Sequence, residues 1–377
     1  MSASGSHPIH PIQTGTPWIR NRAFDLWLVT GGAFFTLAAA LLAFQFPVLL
    51  PPLFWLWVVA FEGSHFWATF SRTYFDRDFR RSHPKLLWGS TVFFLFPVLA
   101  LSLDAVLPGA NLATFYGFFI FCWSLYHNAR QHYGFISIYS RKAGLDAERR
   151  AHLVFALYAS VCLAQFHFLW NFKAPGIFGL PVPGEVGGLW FFVGHQLPMA
   201  LSVAAFAFLV FVARQLWNRR GAAAFMPIFY TAVCWLFYSL MFYVIAPRDT
   251  FVQRLNGTET LMLIAVMNSL FHNIQYHAIV YHHGQRRYGG DKRQFGAAGW
   301  INRDAGHYMV VALLVGAVFG TIVWHLGDWP DVFGRWSGGS MQAWAYVLFF
   351  GIIGHHFYLD QKIWRPSQSK ALRKALS

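Results

Sequence analysis

Acidic residues and cysteines are what this chain has least of. Only 15 Asp and Glu occur among 377 residues, and charged residues of both signs make up 12%. A water-soluble domain of this length needs far more polar cover over its core, which excludes a soluble globular enzyme. The three cysteines, Cys122, Cys162 and Cys234, lie inside apolar runs with no Cys-x-x-Cys spacing. A disulfide framework and a thiolate metal site are therefore excluded, and packing is their expected role. No Gly-rich nucleotide fingerprint or flavin site can be found. The His-Glu-x-x-His signature is also missing, so the water attack of zinc proteases is not expected. The first 20 residues hold no apolar stretch and read as a solvated tail with His7 and His10, without a cleavable signal peptide.

What is present is apolar: 56% of residues are hydrophobic, 19% are aromatic, and mean hydropathy is +0.40. Windows long enough for the hydrocarbon core fall at roughly 24–46, 48–70, 86–107, 112–136, 151–171, 189–213, 225–246, 258–283, 308–325 and 341–361. The expected fold is an all-α polytopic integral membrane bundle of about ten transmembrane helices. A flexible cytoplasmic tail, 1–22, precedes a single transmembrane domain, 23–361, and a basic cytoplasmic tail, 362–377, follows it. Pro47, Pro51, Pro52, Pro97 and Pro198 are the positions at which helices are expected to start or bend.

A net charge of +14 might suggest nucleic acid, but the basic residues sit in short loops between apolar runs and no soluble basic domain carries them. Their distribution instead fixes orientation. With an inside N-terminus, all 29 Lys and Arg except Lys173, Arg248, Arg254 and Arg335 fall in cytoplasmic segments, which places both termini inside. The second, fourth, eighth and tenth spans then run inward, towards the cytoplasm. The expected location is the inner membrane of a bacterium.

Those four spans carry nine histidines: His65, His127, His132, His272, His277, His282, His283, His355 and His356. Ionisable side chains at membrane depth are expensive and mark function, and imidazole is the commonest ligand for borderline first-row metals. The reading is a metal centre in the last turns of these spans, near the cytoplasmic face. Ser124-Leu125-Tyr126-His127-Asn128 with His132 parallels Ser269-Leu270-Phe271-His272-Asn273 with His277, and Gly63-Ser64-His65-Phe66-Trp67 parallels Gly354-His355-His356-Phe357-Tyr358. Two halves supplying equivalent ligands are implied. Residues five apart point about 140° apart on a helix, so His127/His132 and His272/His277 would straddle two metals or need a π-bulge. Glu62, three residues before His65, has the Glu-x-x-His spacing of di-iron bundles and is a candidate ligand. Asp360, Asn128, Asn273 and His83 are candidates for orienting the ligands, with His152 and His307 as loop residues able to close the site. His167, His195 and His325 lie at the opposite ends of their spans beside tryptophans and read as interfacial.

The run His272-x4-His277-x4-His282-His283, with His127-x4-His132 and His355-His356, resembles the histidine boxes of the membrane fatty-acid desaturase and hydroxylase superfamily. A looser likeness exists to the many-span bacterial dioxygenases that cleave carotenoids with a histidine-only iron centre. The spacing of five, the number of spans and the placement of the boxes inside helices depart from the superfamily's pattern. The resemblance implies two iron ions, or another first-row metal, that activate dioxygen against a C–H bond of a lipid-like or other apolar substrate. It also implies electrons from a cytoplasmic donor such as a ferredoxin or cytochrome, for which the basic face offers a dock. The expected function is thus an O2-dependent non-haem iron oxidoreductase: an oxygenase, hydroxylase or desaturase. The rival readings are a metal or haem carrier and a b-type haem electron-transfer protein.

Overall fold

A computed structural model of the chain describes residues 16–171, 188, 191–246, 257–289, 292–326, 340–365 and 372. The first 15 residues, most of the C-terminal tail, Trp190, and the basic residues Lys173, Arg248, Arg254 and Arg335 lie outside the described residues. No strand occurs among the described residues, and the ten apolar windows each coincide with a long helix. In chain order these are α1 (Arg22–Gln45), α2 (Pro47–Arg72), α3 (Pro84–Val106), α4 (Leu112–Lys142), α5 (Ala147–Asn171), α6 (192–220), α7 (225–245), α8 (Gly257–Arg287), α9 (Ala305–His325) and α10 (Ser340–Ile363).

Local chemistry explains the breaks between them. Pro47, Pro51 and Pro52 all lie in the first turns of α2, where a missing amide hydrogen costs nothing. Pro84 likewise starts α3, and Pro198 falls where α6 passes from a π-helical turn, Phe192–Gln196, into regular α-helix. The apolar stretch Phe192–Ile245 is 54 residues long, yet it is divided at Gly221, whose φ of +53° is open to glycine and strained for other residues. At the mouth of α4, the Asp104 carboxylate accepts from the amides of Leu112 and Ala113, which would otherwise lack partners.

Six helical stretches are long and apolar enough to cross a membrane: Arg22–Gln45, Pro47–Arg72, Pro84–Val106, Ala147–Trp170, Phe192–Ile245 and Ala305–His325. The remaining long helices, α4, α8 and α10, have 31, 31 and 24 residues and are also long enough. Their His, Asn, Gln and Ser residues dilute their hydropathy, and these are the helices that supply most of the site. Large apolar side chains point outward, among them Phe34 at 66%, Val48 at 80% and Trp88 at 77% exposure. Such a surface suits lipid rather than water, and the architecture fits an all-α membrane bundle.

Two apolar cores share α4 and α8. One gathers α1, α5, α6 and α7 with Leu50, Trp67 and Ala68 of α2 and Tyr308 and Ala312 of α9, and the other gathers α10, part of α3 and the other buried apolar residues of α2 and α9. A polar seam holds the shared pair together: Asn128 donates to the Asn268 carbonyl at 2.8 Å, and Gln131 to the His272 carbonyl at 2.8 Å. In a dry interior such amide bonds fix register, because slipping would orphan both partners. On the other side, α2 and α9 meet backbone to backbone. A Cβ on Gly63 would lie 2.9 Å from Gly316 Cα, and one on Gly316 would fall onto the Val59 carbonyl oxygen. Just before this crossing α2 opens into a π-helical turn over Val58–Glu62, which sets the direction in which His65 leaves the helix.

Candidate metal centre

Four imidazoles and one carboxylate meet between α2, α4, α8 and α10. His65 Nε2 lies 2.7 Å from His356 Nε2 and 3.3 Å from His272 Nε2. Asp360 Oδ2 stands 3.8 Å from His356 Nε2 and 3.9 Å from His127 Nε2. One ligand atom from each of His65, His127, His356 and Asp360 falls within 4.8 Å of all the others. The His127 and His272 rings lie 4.9 Å apart, which brings His272 into the same group. All five side chains are buried, with exposures of 7% or less.

The sequence parallels turn into spatial pairs, His65 with His356 and His127 with His272. The other five span histidines are elsewhere, each with its own neighbours. His132 contacts the Tyr230 hydroxyl at 2.7 Å through Nδ1 and the Tyr238 hydroxyl at 3.0 Å through Nε2. His277 lies between Ser64 Oγ at 2.9 Å and the Tyr308 hydroxyl at 3.0 Å. His355 bonds the Tyr74 hydroxyl at 2.9 Å, His282 packs on Phe24, and His283 packs between Tyr288 and Trp364. The five-residue spacing explains this outcome: the second histidine of each pair points to another face of its helix.

Glu62 is not among the converging ligand atoms. Its Oε2 accepts from Asn273 Nδ2 at 2.7 Å and from Ser269 Oγ at 3.1 Å. Asn128 and Asn273 therefore brace helices and Glu62 rather than orienting an imidazole. Asp360, expected to hold a ligand in place, reaches His356 through Thr69 with Oδ1 and also turns Oδ2 towards the imidazoles themselves. His83 is exposed, stacked on Phe79 and bonded to Ser82, while His307 pairs with Asp304 at 2.8 Å and His152 packs edge-on to Phe208. None of these three reaches the group. His167 and His195 pack on each other, 4.8 Å between ring centres.

The group also sits deeper along α4 and α8 than the apolar windows imply. His127 and His272 are the sixteenth residues of these 31-residue helices, whose C-terminal ends extend past the windows to Lys142 and Arg287. His65 and His356 stand two turns from the ends of α2 and α10.

Two residues without a sequence signature of their own complete the arrangement. Thr69 Oγ1 lies 2.7 Å from His356 Nδ1, 2.9 Å from Asp360 Oδ1 and 2.7 Å from the Tyr276 hydroxyl, which itself donates to Asp360 Oδ1 at 2.6 Å. Three oxygens at such distances need both hydroxyl hydrogens between them, so the Thr69 hydrogen is not free for His356. His356 Nδ1 must then carry the proton and donate to Thr69, leaving the Nε2 lone pair aimed at the group. A signal for these partners does exist in the sequence. Thr69, Gln131, Tyr276 and Asp360 each follow one of the four converging histidines by four residues, one helical turn along the same face.

The donor set suits a cation. One imidazole N–H can bridge a pair such as His65 and His356, but His127 Nε2 is buried without a hydrogen-bond partner among the described residues, and a cation in the group would satisfy it. Donor atoms held at about 2.1 Å from one ion lie about 3.0–3.4 Å apart, which the 3.3 Å His65–His272 contact meets and the 2.7 Å His65–His356 contact undershoots. Nitrogen and carboxylate ligands without sulfur fit iron, manganese or zinc.

Beside the group opens a cavity of about 130 Å³. His65, His127 and His272 line one part of it, Phe66, Ile120, Phe121, Phe349, Phe350 and Phe357 supply apolar walls, and Glu62, Ser269 and Asn273 form a polar flank. No family model, no curated protein and no solved structure matches this chain. The likeness to histidine-box enzymes therefore rests on histidine spacing alone.

Proposed function

We propose that this chain is a metal-dependent membrane oxidoreductase that uses dioxygen on an apolar substrate, with His65, His127, His272, His356 and Asp360 holding an iron ion. The observation that carries the reading is the convergence of four imidazole nitrogens and one carboxylate oxygen beside a largely apolar cavity that His65, His127 and His272 line. When bound, such an ion supplies the one-electron chemistry that lets dioxygen react at an unactivated C–H bond. The protein's share is positional. Thr69 fixes the His356 tautomer, Asp360 offsets the cation's charge, and the aromatic walls exclude water and hold an apolar chain against the histidines. The five converging side chains form one compact group, which favours one ion over the two that histidine boxes imply. The same compactness favours a bare ion over a haem, whose macrocycle needs more room than this cavity gives.

The reading includes ten spans with both termini in the cytoplasm of a bacterium, supported by the ten long helices and the asymmetry of Lys and Arg. A ferredoxin or cytochrome would deliver electrons at the basic face. The test is metal analysis of protein purified in detergent, followed by oxygen uptake with reductant. About one iron per chain, lost in His65→Ala and His272→Ala but kept in His132→Ala, is expected. Equal metal content in all three variants, or none in the wild type after anaerobic loading, would remove the proposal.

A further inference from the structure

Glu62 is the polar residue that the metal centre leaves without a task. Its Oε2 receives two hydrogen bonds, from Asn273 and Ser269, and the Ser269 hydroxyl in turn accepts from Trp57 Nε1 at 2.9 Å. Two donors to one oxygen fix the carboxylate's orientation and leave the other oxygen facing the cavity. Oε1 receives no hydrogen bond from any described residue, although Glu62 lines the cavity beside His65, His127 and His272. An acceptor braced on one oxygen and open on the other, inside a largely apolar pocket, is what fixes a ligand's orientation in small-molecule sites. A pure hydrocarbon would leave that oxygen unsatisfied and desolvated.

We infer that the cavity binds an apolar chain that ends in, or carries close to its reacting carbon, a hydroxyl or ammonium group that donates to Glu62 Oε1. This deepens the reading above by naming the substrate's polar handle. A volume of about 130 Å³ is close to that of engineered cavities that hold one benzene, so it takes the end of a chain rather than a whole lipid. The handle would be held by Glu62 while the adjoining carbons lie against the imidazoles.

Photolabelling of the full chain in lipid nanodiscs tests this without relying on turnover. The probes are three C8 compounds that carry the same mid-chain diazirine: an alcohol, an amine and a hydrocarbon. Adducts on cavity residues are mapped by mass spectrometry, and iron content is measured on the same samples. The alcohol or the amine should label the cavity at least about tenfold better than the hydrocarbon, as a hydrogen bond to an acceptor otherwise left unsatisfied implies. Glu62→Leu should abolish that advantage while hydrocarbon labelling persists. In Glu62→Gln, which keeps an acceptor but no charge, retained labelling by the alcohol identifies a hydroxyl handle, and selective loss of the amine identifies an ammonium. Equal labelling by all three probes in the wild type, or an unchanged alcohol or amine preference in Glu62→Leu, overturns the inference. Because labelling needs no iron, a wild type that lacks metal yet shows the preference would sink only the metal reading.

Discussion

Thr69→Val is the substitution that separates a metal centre from a merely crowded histidine cluster. Valine matches threonine in shape, so the change deletes one hydroxyl without opening a cavity. That hydroxyl accepts from His356 Nδ1 at 2.7 Å and lies 2.9 Å from Asp360 Oδ1. Its loss leaves the His356 Nδ1 proton without an acceptor, while Asp360 keeps Tyr276. Outer partners of metal ligands typically contribute 10- to 100-fold in affinity, so Thr69→Val should weaken iron binding by ~1.4–2.8 kcal/mol. A chelator titration of iron-loaded protein in detergent reads this directly. Thr69→Ser should stay close to wild type because it retains the hydroxyl. Thr36→Val is the control: Thr36 is buried too, but its hydroxyl donates only to its own helix at Gly32. Equal chelator curves for Thr69→Val and Thr36→Val would refute the positioning role.

Three further outcomes follow from the packing. His132→Phe should keep its iron but lower stability by ~1–3 kcal/mol, since it strands the buried Tyr238 hydroxyl and leaves that of Tyr230 with Gln275 alone; thermal unfolding and metal content, measured together, check this. Gly316→Ala, whose new methyl would meet the Val59 carbonyl, should destabilise by ~1–3 kcal/mol or more, whereas Gly134→Ala in α4, with open space around it, should be neutral or stabilising in the same unfolding assay. Asp76 sits at 1% side-chain exposure, caps the helix Arg77–Ser82 and pairs with Arg287 at 2.9 Å, so Asp76→Ala should cost ~3 kcal/mol or more; Asp78, 63% exposed on the same arginine, should cost under ~1 kcal/mol. Similar losses for the two would contradict the assigned burial.

Hydropathy was enough to find every long helix among the described residues, because bilayer-length apolar runs are the strongest pattern a chain can carry. It fell short at the C-terminal ends of α4 and α8, where Arg141, Lys142, Arg286 and Arg287 break the apolar run while the backbone stays helical. The four helices that build the site were legible from their histidines. Which histidines converge was not, since that depends on rotation about each helix axis, and composition says nothing about rotation. His127 and His132 look equivalent in sequence, yet one meets His272 while the other is held by two tyrosines of α7. Glu62 shows the same limit. Its Glu-x-x-His spacing suggests a ligand, but the π-helical turn that ends at Glu62 and the donors on α8 turn its carboxylate to the cavity flank instead. Thr69 and Tyr276 carry no signature alone and become visible only as residues one turn beyond a histidine.

The most direct measurement is X-ray absorption at the iron edge of purified, iron-loaded protein. The account predicts a shell of nitrogen and oxygen scatterers at about 2.0–2.2 Å with the outer-shell pattern of three or four imidazoles, reduced by one ring in His356→Ala. Sulfur in the inner shell, a porphyrin signature, or a spectrum unchanged in His356→Ala would contradict it.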